Sequence, residues 1–167
     1  GTTKTMTFSW WFKQSQITTN RNFFGHSSVD DAIFIRSDDG FSFIMRNAAD
    51  GIITTNRKFR DNSAWYHIVL AIDTTQGTAA NRIKLYVNGV QETSFATATY
   101  PDQDTDLTGF NTDTNNQYIG REKGGNHISG YMADINFIDG AAKAPTDFGE
   151  VNDNGVWVPI KYSGGYG

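Results

Sequence analysis

Residues 65 to 96 constrain the fold more than any other stretch. They read Trp65-Tyr66-His67-Ile68-Val69-Leu70-Ala71-Ile72-Asp73, a polar loop, then Arg82-Ile83-Lys84-Leu85-Tyr86-Val87-Asn88-Gly89 and on to Ala96. The first run is bulky, β-branched and aromatic, with no helical period. In the second, Ile83, Leu85 and Val87 alternate with Lys84 and Tyr86, and a period of two with one apolar face marks a half-buried strand. Asn88-Gly89 accepts positive φ at both central positions and predicts a two-residue hairpin turn.

The same period recurs along the chain. Phe8, Trp10 and Phe12 share one face of a strand over 5–13, with Thr7, Ser9, Trp11 and Lys13 opposite. Asn22–His26 and Ala32–Ser37 read as short strands. Asp38-Asp39-Gly40 turns the chain into Phe41–Asn47, and Asp50-Gly51 turns it again into Ile52–Thr55. A polar loop is expected over 97–117, then a strand at Tyr118–Arg121, a Gly124-Gly125-Asn126 turn and a last long strand over 128–139. On that strand Tyr131, Ala133, Ile135 and Phe137 should alternate with Met132, Asp134, Asn136 and Ile138. One short helical turn is expected near 145–150, because Pro145 suits a first helical position. Ten or so strands separated by turns predict an all-β fold, an antiparallel sandwich or barrel.

Composition narrows the functional classes. Of 167 residues, 14% are aromatic and 19% charged, and the net charge is −4. With a pI near 5.2 the chain has no dense basic stripe of the kind a duplex nucleic acid needs. Arg57-Lys58-Phe59-Arg60 is the single basic cluster, and it reads as a solvated turn or strand edge. There is no cysteine, hence neither disulfide nor thiolate metal site, which leans towards folding in a reducing cytoplasm. No apolar run reaches membrane-spanning length, so no membrane insertion is expected. Both ends read as cut from a longer polypeptide, with a domain over 1–150 and a Gly-, Asn- and Tyr-rich tail over 151–167 packed on it and leading into a further region.

The landmarks occur in a familiar order: Phe8-Ser-Trp-Trp-Phe12, Trp65-Tyr-His67 leading to Asp73, Lys84-Leu-Tyr-Val-Asn-Gly89, Tyr118-Ile-Gly-Arg121 and Gly130–Asp139. This series resembles a laminin-G-like domain of the concanavalin A-like lectin/glucanase superfamily over about residues 5 to 150. The resemblance implies a two-sheet antiparallel jelly-roll sandwich whose first and last strands lie side by side, and a role in adhesion or glycan recognition. The ending is similar to modules of marine bacteriophage structural proteins: Ile138-Asp-Gly140, Pro145–Glu150, Gly155-Val-Trp-Val-Pro159 and Lys161–Gly167. That similarity implies a tail-fibre or virion polypeptide, folded first in the host cytoplasm and displayed on the virion or extracellular surface. Its partners would be a glycan or host cell surface, with a homo-oligomer within a fibre as an option. A bacterial surface adhesin of the same fold and a purely structural or trimerising module stay open beside it.

Catalysis finds little support. Relatives that cut sugars use a close pair of carboxylates, and Glu92, Glu122 and Glu150 lie in different elements. His26, His67 and His127 lack zinc spacing; His67 beside Trp65 reads as a sheet histidine with satisfied bonds. Calcium is the better candidate, since Asp102, Asp104 and Asp106 alternate in a loop and Asp113 follows, although position 107 is leucine where an EF-hand loop has glycine. A solvated acidic loop is the alternative. Asp38-Asp39 is a weaker candidate and reads first as a hairpin turn. Sugar binding needs an aromatic platform with amides and carboxylates beside it. Tyr100, Phe110 and Tyr118 bracket the 97–117 loop, with Asp102, Asp104, Asn115, Asn116, Arg121, Asn126 and His127 near them in sequence; equally, Phe110 and Tyr118 could anchor the loop to the core. Trp11 points away from the core and needs cover, from Trp157 and Pro159 or from another subunit.

Overall fold

The computed structural model describes residues 3–27, 31–45, 51–107, 109–111 and 116–167. Thirteen strands and two single 3₁₀ turns follow in order: β1 (Thr5–Gln14), β2 (Arg21–His26), β3 (Ala32–Ile35), β4 (Gly40–Ile44), β5 (Ile52–Lys58), β6 (Tyr66–Asp73), β7 (Ile83–Val87), β8 (Val90–Gln91), β9 (Phe95–Thr99), β10 (Gln117–Ile119), β11 (Gly130–Asp139), β12 (Gly149–Val151) and β13 (Trp157–Pro159). The 3₁₀ turns are Ala79–Asn81, which lay unrecognised in a polar loop, and the expected one at Pro145–Asp147. Arg46, Asn47 and Asp50, expected in a strand end and a turn, lie outside the described residues.

Two antiparallel sheets face each other. One runs β11-β1-β6-β7-β8, the other β10-β2-β3-β4-β5-β9. β1 pairs with both β6 and β11, so the first and last long strands are neighbours, as the resemblance implies. The inward faces fuse into one core: Phe8, Trp10 and Phe12 meet Phe23, Phe24, Phe41 and Phe43 from the facing sheet, with Phe12–Phe23 at 4.7 Å and Trp10–Phe24 at 5.0 Å between centroids. These tilted and edge-on ring pairs are the arrangements aromatic quadrupoles favour. The Asn88-Gly89 turn forms as its chemistry requires, with φ of 49° and 79°.

Two expectations need correction. The loop does not begin at Thr97: Phe95–Thr99 crosses to the second sheet and pairs with β5, because its backbone completes that sheet's edge. Nor does β11 alternate throughout. Ser9 pairs with Asn136 and Trp11 with Ala133, so two residues of β11 oppose Trp10 alone. Asp134 sits at φ 46° in this bulge. The extra residue turns Met132 and Phe137, expected on opposite faces, both onto the core, and leaves Tyr131 and Ile135 outside.

The outer face of the five-stranded sheet is covered too. Trp11 is only 8% exposed; its ring stacks on His67 at 4.8 Å, and Trp157 from the tail donates its indole N–H to His67 Nδ1 at 2.9 Å. His67 Nε2 therefore carries the proton and donates to Ser9 Oγ at 2.9 Å. Burial pushes the His67 imidazole down to about 4, consistent with a neutral ring. Cover for Trp11 thus comes from within the chain, and His67 is the satisfied sheet histidine expected. Val69, Ile138, Phe148 and Tyr162 build a second small core beneath the tail. Gly89 lets this tail dock, since a Cβ there would stand 2.6 Å from the Trp157 ring.

Candidate functional site

Among the described residues, those singled out from the 97–117 loop do not converge. Pro101–Leu107 folds onto one end of the sandwich. Asp104 N–H donates to Thr74 O, Leu107 N–H to Thr3 O, and Thr3 Oγ1 to Asp106 Oδ1. Asp102 is exposed, and Asp104 reaches Lys4 at 3.9 Å. Among the described residues no group of three acidic or imidazole side chains could hold a metal ion, and Asp113 lies outside them. Phe110 is buried against Phe8 and Phe43, so it anchors the loop, and Tyr100 also packs on the core. Asn116 exchanges hydrogen bonds with Ser27, and Asn115 is outside the described residues. On β10, Tyr118 carries the Arg121 guanidinium 4.1 Å above its ring, and Arg121 bridges to the exposed His127.

Other charged groups are committed to structure. Asp38 accepts from Lys58 at 2.9 Å, which with the Gly40 N–H and Arg36 holds its carboxyl down at about 2. Burial raises the Asp39 carboxyl, but the Thr18 N–H, Arg21 and Arg60 outweigh it and keep it below the ordinary value. Arg21 and Asp39 form a buried pair at 3.0 Å. Arg57 meets the buried Glu92 at 2.6 Å. The basic cluster at 57–60 is thus three cations paired with carboxylates around the core residue Phe59.

A cleft of about 250 Å³ opens instead on the outer face of the six-stranded sheet, lined by Asn20, Asn22, Ala32, Phe34, Ile44, Glu122 and Asn126. Alternation explains its floor. Ile33, Ile35, Phe41 and Phe43 point to the core, so Ala32, Phe34 and Ile44 point out. The wall is the turn after β10. Asn126 Nδ2 donates to Glu122 Oε1 at 2.9 Å, and Gly125, at φ 86°, closes the turn. Gly25 admits this turn against β2: a Cβ there would lie 2.6 Å from Glu122 Cα. Asn22 is 2% exposed and lines the cleft.

Of the expected site residues that are described, only Asn126 lines this cleft. Asn20, Asn22, Phe34, Ile44 and Glu122 escaped sequence reasoning because they come from four separate segments. One signal was available: β3 is apolar on both faces, which a strand of a sheet covered on one side does not need.

Two facing antiparallel sheets, with a part-apolar, amide-lined cleft on the outer face of one, define a β-sandwich of lectin-like fold. The chain belongs to the concanavalin A-like lectin/glucanases superfamily, whose laminin-G-like family model matches residues 1–146. No curated protein matches it significantly. Among solved structures it is similar to the native heptameric SAP-like pentraxin from Limulus polyphemus (TM-score 0.57, 16% identity, 84% of this chain and 66% of that one). It is also similar to domain 4 of AbnA, a GH43 extracellular arabinanase from Geobacillus stearothermophilus, solved with arabinotriose (TM-score 0.51, 17% identity, 86% and 64%). A "putative carbohydrate binding protein" from Bacteroides ovatus gives a TM-score of 0.64 at 20% identity, covering 87% of this chain and 40% of that one. The chain spans less than two thirds of each of these proteins, and at these identities the likeness concerns the fold.

Proposed function

We propose that this chain is a non-catalytic carbohydrate-recognition module that binds sugar in the cleft over Phe34. The carrying observation is the cleft's chemistry: an aromatic and aliphatic floor for a sugar's C–H face, ringed by three amides and a carboxylate for its hydroxyls. Two of the similar structures are described as a carbohydrate binding protein and as a domain in complex with arabinotriose, which supports the reading. Among the described residues Glu122 is the only carboxylate lining the cleft. Glu92 is held by Arg57, and Glu150 lies on β12 in the tail, so among the described residues no glutamate stands beside Glu122 in the cleft as a second catalytic carboxylate.

The volume suits one or two sugar units. A hexose of about 12 non-hydrogen atoms at about 0.3 kcal/mol each gives a dissociation constant of about 1 mM, so useful adhesion requires several copies. That fits a repeated surface protein. The ending, Pro145–Glu150 with Gly155–Pro159 and Lys161–Gly167, supports a place in a bacteriophage tail-fibre or virion polypeptide that engages a host cell-surface glycan. In this reading residues 1–150 are the sandwich domain and 151–167 lead into the rest of the parent protein. A multivalent array of neutral oligosaccharides, arabinotriose included, tests the function: wild type binds at least one sugar, and Phe34→Ala abolishes the signal. An array on which wild type binds nothing overturns it.

A second reading, a structural or oligomerising module, is favoured by Val90, Val151 and Val156, which stay exposed around the tail hairpin. It predicts self-association that Val151→Asp with Val156→Asp removes, measured by analytical ultracentrifugation.

A further inference from the structure

We infer that the cleft selects uncharged sugars and rejects those bearing a carboxylate, with Glu122 as the residue that discriminates. The inference rests on the carbohydrate reading of this cleft and names its ligand class.

Among the described residues seven line the cleft and one of them is charged. Glu122 rises on the turn beside the mouth, and its Oε1 is held by the Asn126 amide, which fixes the carboxylate against the cleft. Among the described residues no cation lines the cleft. Arg121 precedes it in sequence, but its guanidinium stacks on Tyr118, and neither Arg121 nor Lys123 lines the cleft. The remaining polar lining is amide, from Asn20, Asn22 and Asn126. An amide offers both N–H donors and a carbonyl acceptor, which matches hydroxyl groups that do the same. A uronic or sialic carboxylate would find donors but also a fixed like charge, in a chain whose net charge is −4. Sites built for sugar acids place arginine or lysine where this one places glutamate.

Proximity sets the size of the effect. A like charge within several ångströms at a partly solvated site weakens binding by about tenfold or more, and salt screens it. Glu122→Gln removes the charge while retaining an Oε1 acceptor for Asn126, so the turn keeps its shape.

The test uses an array of neutral oligosaccharides, each beside its acidic counterpart: galactobiose with digalacturonate, lactose with sialyllactose, xylotriose with its glucuronosyl derivative. Binding is read at 20 and 500 mM salt for wild type and E122Q, with thermal melts confirming that both are folded. We expect the bound neutral sugar to exceed its acidic partner at least tenfold at low salt. In E122Q, and in wild type at high salt, the ratio should fall below about threefold. Acidic members that bind wild type as well as neutral ones overturn the inference and leave the carbohydrate reading standing, as does a ratio unchanged in E122Q. Binding to no member of either class overturns the carbohydrate reading itself.

Discussion

Acidification from pH 7 to pH 5 should destabilise this protein through His67. The ring lies between Ser9 Oγ and the Trp157 indole N–H and is pressed against Trp11. Protonation places a second N–H at Nδ1, where Trp157 already donates. Burial lowers the folded value from 6.5 to about 4. The folded state thus resists a proton that the unfolded chain accepts. The stabilisation is complete above the unfolded value, declines as pH falls below about 6.5 and is exhausted near 4. Integrated over that window the linkage is worth about 3 kcal/mol, of which about 2 kcal/mol is lost between pH 7 and pH 5. Asp38, held near 2, contributes little there, because its unfolded value of 3.8 keeps it ionised in both states at pH 5. Urea titrations followed by tryptophan fluorescence should show the midpoint falling by about 1 M over this range. His67→Gln should be less stable at pH 7, with its pH 7-to-5 loss reduced by about 2 kcal/mol. A His67 imidazole that titrates near 6 by NMR, or the same pH slope in His67→Gln, would refute the reasoning.

Four further outcomes are expected. Gly89→Ala must adopt positive φ and displace the Trp157 ring, costing about 2 kcal/mol in denaturant titration, and Trp157→Ala should make that substitution cheaper. Asp39→Ala leaves the Arg21 guanidinium buried without its counter-charge and should cost about 3–5 kcal/mol by the same measurement. Gly25→Ala pushes the 121–127 turn off β2, so sugar affinity should fall about tenfold by NMR titration while the melting temperature moves by only a few degrees. Asn22→Ala removes one of the amides lining the cleft, and sugar affinity should fall about tenfold by NMR titration.

Much of the architecture was legible because strand period and turn chemistry are local. Ile83, Leu85 and Val87 faced the core as their spacing required, and Asn88-Gly89 turned the chain where its φ preferences allow. Phe8, Trp10 and Phe12 likewise marked the central strand. Met132 and Phe137 were misjudged because nothing in their own segment signals the bulge at Asp134; it arises from pairing with β1. Phe95–Thr99, with its small polar residues, reads as loop until an open edge on β5 recruits it.

The candidate site was barely legible, and Asn126 alone carried over. Sequence neighbours such as Tyr100, Asp102 and Asp104 were grouped by proximity along the chain, yet they cap one end of the sandwich. The cleft instead joins Asn22, Phe34 and Ile44 across three strands and adds Glu122 from a turn that lies over them only because Gly25 has no side chain. Local chemistry determined that this chain makes two sheets with an aromatic core. Which outward faces meet, which stay open and which amides line the cleft depend on contacts between residues distant in sequence, and only the folded chain decides those.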